Sequence, residues 1–185
     1  MKKLILLVLV AVFTQLGAQN GKGKMFPEME AVTFDNKQLK LPAAVKGKYT
    51  IIGMCFNKDA EGDLQTWLNP LYNAYFVKHA GDAAMGVAET TDINMYLMPK
   101  FSIFNQITQG ASQDKIKSQT DKAFWPMLMF YLSGLKEYKA ALEVEKTDQP
   151  FIYLLDKTGK IIHVEKGVCN DKKMEAIADH IDEEK

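Results

Sequence analysis

Gln149-Pro150-Phe151-Ile152-Tyr153-Leu154-Leu155-Asp156-Lys157-Thr158-Gly159-Lys160-Ile161 is the stretch on which the fold turns. Five apolar residues follow the proline, and Asp156-Lys157-Thr158-Gly159 then reads as a turn with a glycine free to take the left-handed conformation. Lys160 to Glu165 completes an antiparallel hairpin. Beyond it, Asn170 is placed to cap a closing helix whose buried stripe is Met174, Ile177, Ala178 and Ile181.

Working back toward the N-terminus, Tyr49 to Phe56 (YTIIGMCF) is a near-continuous apolar run of strand length, suited to a strand buried on both faces. The polar Asn57 to Gly62 leads into a helix expected from about Asp63 to His79. Leu64, Trp67, Leu68, Leu71 and Tyr75 give it one apolar stripe, and Pro70 is expected to kink it. Gly81 to Thr91 reads as a loop and Ile93 to Met98 as a second buried strand stopped by Pro99. Phe101, Phe104 and Ile107 suggest one amphipathic helix, and Ser112 to Lys122 a second short helix or an exposed lobe. Met127 to Leu132 reads as a strand, with a short helix favoured over Leu135 to Glu145. Ahead of all this, Ala31 to Phe34 and Gln38 to Leu41 alternate around Asp35-Asn36-Lys37 as a small hairpin, and Pro42 to Lys48 connects.

The chain begins with Lys2 and Lys3, an apolar run from Leu4 to Phe13, and a small-residue exit through Gly17 and Ala18. That order is a secretory signal peptide, with cleavage expected after Ala18 and export to the periplasm or beyond. Ten apolar residues reach only ~15 Å, about half of a ~30 Å hydrocarbon core, which argues against an uncleaved anchor. Residues 19–25 then form a Gly/Lys-rich leader, expected to be flexible, before one domain from 26 to 185. Removing the first 18 of 185 residues leaves 21 lysines against 23 acidic residues and no arginine. Without arginine's planar fork, nucleic acid and polyphosphates are poor candidate partners. Two cysteines cannot make a disulfide-stapled scaffold.

The order hairpin, strand, kinked helix, strand, variable middle, proline, hairpin, helix resembles the thioredoxin-like superfamily, in its exported branch of thiol-disulfide oxidoreductases and peroxiredoxins. Three stretches carry the likeness: Phe26-Pro27 through Lys48 and the following strand, the helix with Trp67 and Pro70, and Gln149 to Ile161. The resemblance implies an α/β fold with a central mixed sheet flanked by helices, an N-terminal β-hairpin extension, and an insertion at about 100–135. It also implies a cis peptide bond before Pro150. The same likeness places Asn57, Lys58, Asp59, Gln149 and Pro150 along one shallow groove where redox relatives receive peptide.

The chemistry of those relatives needs a cysteine pair in the first helical turn, where the dipole generates a thiolate. No cysteine lies between Cys55 and Cys169, so the paired motif is missing. Cys55 falls within a strand and reads as a buried small hydrophobe, with a reactive lone thiol at Cys55 or Cys169 as the alternative. A Cys55–Cys169 disulfide is conceivable only if their Cα atoms come within ~7 Å.

His79, His163 and His180 are far apart in sequence and share no ligand spacing, so no metal is expected. Met95, Met98, Met127 and Met129 read as core rather than a copper(I) site, and Asp59, Glu61 and Asp63 as a solvated cluster at a helix start. The leading expectation is an exported non-catalytic protein that binds a protein or peptide in the envelope, without cofactor. A thiol-dependent redox protein is the first alternative; a small-ligand carrier built on Phe124, Trp125, Phe130 and Tyr131 is the second.

Overall fold

The computed structural model describes residues 20–77, 93–100, 118, 120–132 and 135–182. The signal-peptide reading, the 81–91 loop and the helix through Phe101, Phe104 and Ile107 lie outside the described residues, as does His79.

Among the described residues seven strands form two sheets. β1 (Met29–Thr33) and β2 (Gln38–Leu41) make the expected hairpin, and β1 also pairs antiparallel with β5 (Met129–Tyr131), giving the order β2-β1-β5. The central sheet has the order β4-β3-β6-β7, built from β3 (Tyr49–Met54), β4 (Ile93–Met98), β6 (Phe151–Leu155) and β7 (Ile161–Lys166). β3 runs parallel to β4 and antiparallel to β6, and β6 antiparallel to β7. This mixed four-stranded sheet with helices and an added hairpin sheet is the thioredoxin-like α/β architecture.

The period of two along the strands sorts the core into two layers. Ile52, Met54, Tyr153 and Leu155 face the hairpin sheet, in one cluster with Phe26, Met29, Leu41 and Met129. Ile51, Ile152 and Leu154 face the other way, against Leu64, Trp67, Leu71, Ile177 and Ile181 of the helices. Met95 and Met98 fall into opposite clusters and are buried, as core residues on a strand should be.

Among the described residues the sheets are accompanied by the helices α1 (Glu61–Gln65), α2 (Leu68–Tyr75), α3 (Leu135–Ala141) and α4 (Asp171–Asp182). The single helix expected from Asp63 is thus interrupted at Thr66–Trp67, four residues before Pro70. The proline ring clashes with the carbonyl four residues back and offers no N–H to it. Thr66 and Trp67 accordingly bond at shorter range, their N–H groups donating to Asp63 and Leu64 at 3.2 and 3.1 Å. At α4, the expected cap is in place: Asn170 Oδ1 accepts from the Lys173 N–H at 3.1 Å.

One expectation fails. The Gln149–Pro150 bond is trans; among the described residues the cis bond is Leu41–Pro42. An extended, trans approach suits the residue before a proline. It lets the chain run straight into β6, where the Pro150 carbonyl accepts from Gly167 N–H at 3.0 Å. Residues 20–25, expected as a flexible leader, are hydrogen-bonded onto the terminal hairpin. Gly23 N–H donates to Ile161 O and Ile161 N–H to Lys24 O, both at 2.8 Å, and Phe26 N–H to Gly159 O at 3.0 Å. Asn20 is buried and its Nδ2 donates to Glu143 O at 3.0 Å.

Candidate functional site

The β3–β6 register, with Met54 opposite Phe151, brings the end of β3 beside the start of β6. Asn57, Lys58, Asp59, Gln149 and Pro150 therefore gather at one end of the central sheet. Phe56 and Phe151 meet edge to face at 5.9 Å beneath them. Asn57 is extended, with φ −137° and ψ 149°, and leads into a 3-10 turn over Lys58–Ala60 that runs directly into α1. Lys58 and Asp59 are exposed, Asn57 and Gln149 half-buried, and Pro150 buried. The two loops thus share one end of the sheet, but Pro150 lies under the surface with its carbonyl already bonded to Gly167.

A second loop, Gly167 to Cys169, covers the break between α1 and α2. Gly167 O accepts from Trp67 Nε1 at 2.8 Å and Thr66 Oγ1 from the Cys169 N–H at 2.9 Å. Gly167 adopts φ +72°, which an L side chain resists, and a Cβ there would come within 3.3 Å of Gln149 Oε1. The glycine thus lets this loop, the Gln149 side chain and Trp67 close on one another.

Neither thiol occupies the start of a helix. Cys55 is the residue after β3; it is fully buried and its Sγ donates to Ala60 O at 3.2 Å. Burial pushes its pKa up to about 12, helped by the charges of Glu61 and Asp63 and opposed by a backbone hydrogen bond from Lys100. At neutral pH it is a thiol, not a thiolate. Cys169 is half-buried, and burial raises its pKa too, with Lys173 pulling down and Asp171 pushing up. Both cysteines are free.

Glu61 differs from the solvated carboxylate expected at this helix start. Burial raises its pKa against Lys58 and Lys100, and its Oε1 is buried without a hydrogen-bond partner. Tyr131 on β5 lies in the same environment: burial raises it first, then the charges of Glu61 and Cys55. Beside Glu61 opens a cavity of about 410 Å³ between α1, α2, the end of β4 and the 3-10 turn Lys122–Met127. A sequence reading gives no warning of it. The acid is one of three near the helix start, and Leu64 and Leu68 look like ordinary members of an apolar stripe.

His163 and His180, far apart in sequence, are brought together where β7 meets α4, with ring centroids 4.3 Å apart. Among the described residues no group of three His, Cys, Asp or Glu is placed to hold a metal ion. None of the described helices is long and apolar enough to cross a membrane.

A family model described as ATP10 protein matches residues 17–182. The chain belongs to the ATP10 family. No curated protein matches it. Among solved structures, this ATP10-family chain is similar to the pneumococcal exposed lipoprotein thioredoxin of Streptococcus pneumoniae. The identity is 16% and the TM-score 0.53, over 83% of this chain and 99% of that one. It is also similar to a thio-disulfide isomerase of Thermus thermophilus, at 13% identity and TM-score 0.50, over 86% of this chain and 96% of that one. At such identities the likeness shows the fold. The ATP10-family member therefore keeps the thioredoxin-like frame while its sequence has no cysteine pair at the start of α1.

Proposed function

We propose that this ATP10-family protein is exported and binds a protein partner in the bacterial envelope, assisting its assembly without catalysis. Family membership supports the role, since ATP10 is an assembly factor with a non-catalytic role. The observation that carries the reading for this chain is the state of Cys55. It is buried, hydrogen-bonded to Ala60 and pushed up to about 12, and it lies directly after β3, short of the helix start where redox chemistry in this fold would need a thiolate. The surface left there is the loop Asn57–Asp59 beside Gln149, with exposed polar side chains suited to recognition rather than electron transfer. The export half of the proposal rests on Lys2, Lys3 and the apolar run that follows.

Affinity capture from an envelope extract tests the proposal. The wild type should retain a defined partner that a Lys58→Glu, Asp59→Lys variant releases, and the Cys55→Ala, Cys169→Ser variant should retain it too. Catalytic insulin reduction or peroxide consumption by the wild type, lost in the cysteine double variant, would replace this reading with the lone-thiol enzyme. N-terminal sequencing of the envelope form should start near Gln19; an intact Met1 on a membrane-bound form would overturn export.

A further inference from the structure

The cavity beside α1 has the form of a trough. Its apolar lining includes Leu64, Leu68, Leu97, Phe124 and Leu128. Along one rim run Glu61, Gln65 and Asn69, four residues apart on the α1–α2 path. Thr66 and Trp67 keep right-handed helical dihedrals while bonding three residues back, so the rim repeats at about 6–7 Å. Every second residue of an extended chain repeats at about 6.6–6.8 Å. A row of polar side chains at nearly that spacing, beside an apolar lining, matches a strand-like segment with alternate residues pointing inward.

The opposite rim is already held in place. Asp121 Oδ1 accepts from Ala123 N–H at 2.9 Å, Trp125 Nε1 donates to Thr120 O at 3.1 Å, and Phe124 packs edge to face on Tyr72 at 5.0 Å. Rigid walls lower the ordering cost of binding.

Charge selects among occupants. Among the described residues, the ionisable side chains lining the trough are Glu61 and Asp121, both acids. Burial disfavours the charged form of Glu61, with Lys58 and Lys100 opposing it, and among the described residues no donor reaches its Oε1. A buried acceptor in that state is costly until a donor reaches it.

We infer that this trough receives an extended apolar segment of a partner protein, with a lysine or arginine of that segment bonding Glu61. The inference rests on the binding role proposed above and assigns it a site next to, but separate from, the Asn57–Asp59 loop.

Two fluorescein-labelled octapeptides of alternating leucine and serine, one with a central lysine and one with a central glutamate, serve as probes for the full mature protein. The lysine peptide should bind roughly tenfold more tightly than the glutamate peptide, the worth of one charge-assisted hydrogen bond. Glu61→Gln should erase most of that preference. Leu68→Glu should weaken both peptides roughly tenfold or more. Gln65→Trp, at an exposed rim position, gives the same test by filling the trough should Leu68→Glu fail to fold.

Equal binding of the two peptides, or binding indifferent to Glu61→Gln and Gln65→Trp, overturns the inference. So does a trough that takes dodecylamine but neither peptide, or a self-association broken by Gln65→Trp without peptide binding. If Gln65→Trp still captures the envelope partner while the peptides show no preference, the trough is excluded and the wider binding role stands. If capture fails for the wild type as well, the binding role itself falls.

Discussion

Cys55 shows how one residue's surroundings decide its chemistry. A thiol pushed up to about 12 and bonded to a backbone carbonyl stays protonated and shielded. Native protein at pH 8 should therefore take up iodoacetamide at Cys169, slowly, and at Cys55 only after unfolding, which mass spectrometry of timed samples reads directly. Gly53, two residues earlier, is constrained by space rather than dihedral freedom. A Cβ there would lie 2.6 Å from Leu97 Cδ2 and 2.8 Å from Leu64 Cδ1, inside the packed layer between β3 and the helices. Gly53→Ala should destabilise by about 1–3 kcal/mol, the usual range for overpacking a core. A midpoint in urea unchanged from wild type would contradict it. The burial of Cys55 was legible, because it closes a run of apolar residues too continuous for an exposed strand. The buried oxygen of Glu61 was not. A carboxylate at a helix start reads as solvated unless the walls around it, here from β4 and the turn before β5, are known.

Secondary elements follow the local pattern closely where the pattern is complete. Alternation fixes β1 and β2, continuous apolar runs fix β3, β4 and β6, and Asn170 marks the start of α4. Asn170→Ala should cost about 1 kcal/mol, typical for a lost helix cap, and thermal melts of the two forms measure it. Pro70 sets the break between α1 and α2, but its position in sequence points one turn too late, since the clash falls on the residue four before it.

Where β7 meets α4, burial is the main cause that lowers the His163 pKa below 6.5. A hydrogen bond to the Glu165 carboxylate opposes this, and the charges of His180 and Lys22 add to the lowering. The unfolded chain then takes up the proton first. The stability this group contributes is full above pH 6.5 and falls as the pH drops from there toward the folded-state value. His163→Gln should lose less melting temperature between pH 7 and 5 than wild type; a steeper loss would contradict the assignment.

At the scale of the whole molecule, a central mixed sheet flanked by helices, with an N-terminal hairpin, was readable from the order of strands and helices, whereas the strand order β4-β3-β6-β7 needed the structure. The trans bond at Pro150 and the bonding of residues 20–25 were not. The first has no local signal, since an X–Pro bond takes either form at little difference in energy; the second depends on residues 159–161, distant in sequence. The cysteine double variant probes the molecule as a unit. Cys55→Ala, Cys169→Ser should keep its partner, with a stability loss on the order of 1 kcal/mol from the small cavity at position 55, read from denaturant titration.

The pairing of Gly23, Lys24 and Phe26 with Gly159 and Ile161 also carries a consequence in time. A chain made from its N-terminus delivers residues 20–26 long before the hairpin that holds them. The opening segment must wait, unpaired, until nearly the last stretch arrives. Closing so long a loop is a late and entropically slow event. During that interval the start of the chain is open to chaperones and proteases, and the completed hairpin acts as the clasp that ends their access.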